Sequence, residues 1–81
     1  MQDFERIEKF IEEIKNDLVS GKTTFQAQIA RRSEFRAKAA ETTGRDRSNW
    51  LGRAEIIDAA MDEARCELIA IGKIRLGEEV A

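Results

Sequence analysis

From Trp50 to Ile71 the side chains Trp50, Ala54, Ile57, Met61, Ala64, Leu68 and Ile71 succeed one another at alternating spacings of four and three. That rhythm lays one continuous apolar seam along a helix, and such a seam has to be buried against something. Ile56, Ile69 and Ala70 widen it, whereas Asp58, Asp62, Glu63, Arg65 and Glu67 fall largely away from it. A chain built around this stretch is constrained to fold as packed helices.

A second seam precedes it. Phe4, Ile7, Ile11, Ile14 and Leu18 keep the same rhythm, with Phe10 beside them, and predict a first helix over residues 3–19. Asp3 and Glu5 lie in its first turn, where the helix dipole favours negative charge. Ser20-Gly21 ends it, because Gly21 accepts the left-handed conformation of a C-terminal cap. Thr23 or Thr24 then caps a second helix, over about residues 25–42. Its apolar stripe is weak: Phe25 and Ile29 are continued by the small residues Ser33, Ala37 and Ala40, and Phe35 stands off that line. Thr42 to Arg45 breaks the helix, and Asp46 or Ser48 caps a third helix, over about residues 48–71, which Gly72 ends. Gly52, in the first turns, either costs about 1 kcal/mol relative to Ala or admits another backbone at close range. The fold expected is all-α: a three-helix antiparallel bundle or helical hairpin. Residues 1–72 form a single helical domain, and residues 73–81 a tail that is flexible or ordered by a partner.

A chain of 81 residues buries only about 60% of its unfolded surface, and small cores of this kind need reinforcement. Cys66 is the single cysteine and histidine is absent, which removes an internal disulfide and the commonest zinc ligand. Oligomerisation remains. The third helix outruns the first, so the uncovered seam points to a homodimer through these two helices, with Ile57, Met61, Leu68 and Ile71 at the contact. Cys66 lies next to the seam and reads as a small buried hydrophobe. One free thiol fits a reducing compartment. The charged first residues do not read as a signal peptide, and no apolar run approaches the roughly 18 residues of a membrane span. A cytoplasmic protein that does not enter a membrane is expected.

Chemistry has little support in the residues. Gly21-Lys22-Thr23-Thr24 ends like a phosphate-binding loop, but Asn16 stands where that pattern needs glycine, and a helix replaces the preceding strand. Without histidine no nucleophile has its usual base. The acidic helix faces, Glu55-x-x-Asp58 with Asp62 and the run Glu8, Glu12, Glu13, resemble the paired E-E-x-x-E and E-x-x-D helices of the MazG-like nucleotide pyrophosphatases. The resemblance implies a Mg²⁺-dependent activity. Asn16 replaces the last glutamate of the first motif, and the separation between the two segments is long. The reading preferred is non-enzymatic, with no catalytic residue, no metal and no cofactor.

Charge placement is more informative. Residues 1–21 carry six acidic and three basic side chains, residues 22–53 eight basic and three acidic, and residues 54–81 seven acidic and three basic. Within the basic middle, Arg31, Arg32, Arg36, Lys38, Arg45, Arg47 and Arg53 surround Phe35 and Trp50. Like charges one turn apart repel, so the cluster asks for a counter-charge. The acidic helices of this chain, an acidic protein or a nucleic acid can each supply it. The leading expectation is a small interaction or regulatory protein binding another macromolecule through a helical, oligomeric scaffold. The alternative is a nucleic-acid-binding protein using residues 31–53, with Arg45, Arg47 and the opening N–H groups of the third helix holding phosphate.

Overall fold

The computed structural model describes residues 2–72, with side chains from Phe4 onward; the tail expected over residues 73–81 lies outside them. Three helices pack together: α1 (Gln2–Ser20), α2 (Phe25–Ala40) and α3 (Gly44–Ala70). Among the described residues there is no strand, and no helix is long and apolar enough to cross a membrane.

The chain punctuates these helices locally. Gly21, at φ 86°, turns the backbone after α1, a conformation that glycine adopts without a Cβ clash. Thr24 is the N-cap of α2, its Oγ1 accepting from the Ala27 N–H at 3.1 Å. Thr23 does not form the cap; its hydroxyl accepts from Gln28 Nε2 at 3.1 Å. At the other end the Thr42 hydroxyl donates to the carbonyls of Lys38 and Ala39, at 3.1 and 3.2 Å. These bonds satisfy carbonyls that a continuing helix would have used, so α2 stops at Ala40, two residues before the boundary the sequence implies. Gly44, at φ 62°, makes the next turn and already belongs to α3, which starts four residues earlier than expected.

α3 is the central element. Its 27 residues span about 40 Å at 1.5 Å each, close to the longest dimension of the molecule, 42 Å. α1 and α2 both pack on it and scarcely meet each other. Lys15 of α1 reaches Glu67, and Phe10 and Ile14 share a groove with Arg53, Ile56 and Ile57, so α1 and α3 run the same way. α2 runs against both, since Phe25 lies by Arg65 and Phe35 by Trp50.

The core gathers Leu18, Phe25, Ile57, Met61, Ala64 and Leu68, with Ile14, Val19 and Phe35 against it. The α3 seam is therefore buried as expected from Ala54 to Leu68, while Trp50 is half-buried and Ile71 is exposed. Two expectations need correction. Ile57, Met61 and Leu68, assigned to a contact between two copies, are buried inside one chain, so this seam is already covered. Cys66 is exposed, because it sits two residues before Leu68 and so points to the opposite side of α3.

α2 also differs from its expected register. The face it turns inward is Phe25, Gln28, Arg32, Phe35 and Ala39, whereas Ile29, Ser33, Ala37 and Ala40 are exposed. This is again a four-and-three repeat, but two of its members are polar. Finally, the uncovered apolar surface lies mainly on the first half of α1 rather than at the overhang of α3. Phe4, Ile7 and Phe10 are 65, 41 and 52% exposed.

Candidate interaction surface

The basic middle of the chain divides into three groups in space. Arg32 and Arg36, one turn apart on α2, both reach Asp58 of α3. Arg32 Nη1 donates to Oδ1 and Arg36 Nη2 donates to Oδ2 at 3.1 Å. One carboxylate thus answers the repulsion between two neighbouring arginines, and both its oxygens are occupied.

The second group is built on an aromatic pair. Phe35 of α2 and Trp50 of α3 lie 5.6 Å apart between ring centroids, tilted by 33°. Arg31 lies over Phe35 at 5.5 Å, and Lys38 and Arg53 lie over Trp50 at 4.8 and 4.6 Å. Electrostatic attraction to the ring faces holds these cations in place without neutralising them. Arg31, Lys38 and Arg53 are exposed, and none has a carboxylate within ion-pair distance among the described residues. Five of the nine expected residues are therefore assembled into one cationic, aromatic face.

Arg45 and Arg47 form the third group. They lie exposed in the first turn of α3, where Thr43 occupies the N-cap position without a side-chain hydrogen bond. They join neither the Asp58 pairing nor the aromatic face.

Next to the aromatic face α1 and α2 diverge, and a groove of about 300 Å³ opens between them above α3. Its walls are Phe10, Ile14, Phe35, Ile56 and Ile57, and Arg31 and Arg53 line it as well. Phe10 and Ile56 were no part of the expected site. Their signal in the sequence was being apolar beside a seam instead of on it.

The paired acidic helices implied by the pyrophosphatase resemblance are not assembled. Among the described residues no three His, Cys, Asp or Glu side chains converge on a common point. Asp58, the aspartate of the E-x-x-D pattern, is held by two arginines. On the far side of α1, Lys15 lies 3.4 Å from Glu67 and 3.7 Å from Glu12. Partial burial pulls the Lys15 ammonium down, but the negative charges of Glu67, Glu12 and Glu63 outweigh it, and its pKa is raised.

Comparison of the chain with protein-family models, with curated proteins and with solved structures finds no match.

Proposed function

We propose that the protein is a non-enzymatic interaction domain that works as a dimer and binds another macromolecule through the cationic, aromatic face of α2 and α3. The observation that carries this reading is the set Arg31, Lys38 and Arg53, held on the Phe35–Trp50 pair without a carboxylate partner among the described residues. Arginine, tryptophan and phenylalanine are the residues enriched at the cores of protein interfaces. Stacking also fixes these long side chains beforehand, which lowers the entropy lost on binding.

A protein partner with acidic side chains flanking an apolar face fits best. The Trp50 ring already carries two cations and abuts Phe35, so it does not offer the open platform on which a nucleic-acid base stacks. One feature favours the nucleic-acid reading: Arg45 and Arg47 stand in the first turn of α3, whose N-cap Thr43 makes no side-chain hydrogen bond, a combination suited to phosphate.

Trp50 is the only tryptophan, so its fluorescence reports on this face directly. Titration with an amphipathic helical peptide bearing glutamates beside its apolar stripe is expected to shift the emission saturably, and Lys38→Glu with Arg53→Glu is expected to remove the response. A short DNA duplex and a single-stranded RNA form the second arm. Binding there with a steep fall in affinity as salt rises selects the nucleic-acid reading. No emission change with any of the three probes at low salt overturns both.

A further inference from the structure

The groove between α1 and α2 is apolar within and basic at its rim. The Ile7–Phe10 side of α1 is apolar, and Glu13 and Asp17 follow it along the helix. We propose that these two surfaces belong together: the Ile7–Phe10 side of α1 from a second copy of this chain seats in the groove, and the first copy returns the same contact about a two-fold axis. The inference rests on the dimeric reading above and gives it a location, and it leaves Lys38 and Trp50, which do not line the groove, to the other macromolecule.

Four observations lead to it. First, Phe10, 52% exposed, is itself one of the groove's walls, and the exposed Ile7 lies one helical turn before it. A two-fold contact needs one patch that both offers and receives side chains, and Phe10 does both. Second, Glu13 and Asp17 follow Phe10 at i+3 and i+7 and share its side of α1. Neither makes an ion pair among the described residues, and neither do Arg31 and Arg53 at the groove. Arg6 shares that side at i−4 from Phe10, so the ridge keeps a net negative charge against the basic rim, and none of these groups has an ion-pair partner among the described residues. Third, Arg31 and Arg53 are held on Phe35 and Trp50, so the rim stands ready before a partner arrives. Fourth, the size is sufficient. Seating residues 4–14, about 16 Å of a helix about 10 Å wide, to half its girth in both grooves at once covers roughly 1,000 Å², the lower limit for a specific interface.

The contact differs from the one the seam of α3 implied. Ile57 contributes to the groove floor from within its own chain, while Met61 and Leu68 stay in the core. What meets across the axis is α1 against α1, flanked by the two copies of α2.

Sedimentation of the full chain at micromolar concentration tests the assignment, with circular dichroism to establish that each variant is folded. The wild-type chain is expected to sediment as a dimer that loosens as salt rises. Phe10→Asp, at an exposed position, is expected to give a folded monomer. Two charge-reversed chains provide the sharper test. One carries Arg31→Glu and Arg53→Glu; the other carries Glu13→Arg and Asp17→Arg. Each alone sets like charges against each other and is expected to lose at least about tenfold in self-affinity. Mixed in equal amounts they restore opposite charges at both halves of the contact, and a heterodimer is expected to return. A monomeric wild-type chain, a Phe10→Asp chain as dimeric as wild type, or a mixture no more associated than its components each overturns the inference. A monomer whose groove takes the acidic amphipathic peptide instead assigns the groove to a different protein, and also overturns it. The outcome is separable from that of the binding reading: a monomer whose Trp50 still responds to a probe defeats only the two-fold contact, and a dimer that responds to none defeats only the binding role.

Discussion

Arg32 and Asp58 meet across the α2–α3 hairpin with both side chains largely withdrawn from water, 24 and 35% exposed. Arg36 completes the arrangement on the second carboxylate oxygen. Among the described residues these are the only ion pairs that join α2 to α3. Their effect is to let an arginine occupy an inward position of α2.

Asp58→Ala therefore leaves a half-buried guanidinium and its neighbour repelling each other without an acceptor. The expected loss is about 1–3 kcal/mol in urea unfolding. Arg32→Met in the Asp58→Ala background is expected to recover part of that loss, because it removes the stranded charge and keeps an apolar side chain in its place. A double-mutant cycle in which the two losses simply add shows that the pair is not coupled.

The same pair explains where the sequence was readable. The seams of α1 and α3 consist of apolar residues, so periodicity alone identifies them and the all-α fold. α2 has an equally regular inward face, but Gln28 and Arg32 hold two of its five positions. Gln28 Nε2 donates to Thr23 and Arg32 Nη1 to Asp58, although Gln28 Oε1 and Arg32 Nε are buried without a hydrogen-bond partner among the described residues, and Asp58 lies 26 positions from Arg32. Reading by hydrophobicity instead follows Ile29 to the exposed side. The basic cluster was visible as composition. Its division into a neutralised pair, an aromatic-bound trio and two outlying arginines depends on which side of α2 faces α3. The uncovered apolar surface was sought at the end of the longer helix. Helix lengths do not specify how α1 crosses α3, and it is the divergence of α1 that leaves Phe4, Ile7 and Phe10 in solvent.

Gly52 lies well inside α3 with an ordinary helical backbone, and a Cβ built there meets nothing within 4 Å. The close approach of another backbone is therefore not its reason for being there. Gly52→Ala is expected to stabilise the protein by about 0.5–1 kcal/mol, since alanine loses less backbone entropy in a helix. Thermal unfolding measures it, and a lower melting temperature contradicts the open surroundings of this position.

Ile57 and Ile71 were assigned the same role by the seam, but the structure separates them, at 1 and 54% exposure. Ile57→Ala opens a cavity among residues that cannot all collapse into it, for an expected loss of about 2–5 kcal/mol. Ile71→Ala removes surface that water already reaches and is expected to change stability by less than about 0.5 kcal/mol. Comparable losses for the two in urea unfolding require Ile71 to be covered.

Lys15 carries a pH signature. Its pKa is raised in the folded protein, where the pull of burial is outweighed by Glu67, Glu12 and Glu63. A lysine whose folded pKa exceeds its unfolded value binds its proton more tightly when folded. Its contribution is therefore complete below the unfolded value of about 10.4 and fades as pH climbs through the higher folded value. The chain contains no tyrosine, so no phenol titrates in this range. Melting temperature followed from neutral to strongly alkaline pH is expected to fall more steeply for the wild type than for Lys15→Met, and the two curves are expected to converge at the alkaline end. The lysine is partly reached by water and one of its partners, Glu12, is well exposed, so added salt is expected to narrow the gap between the curves at neutral pH. Parallel curves over the whole range contradict a proton held more tightly in the folded state.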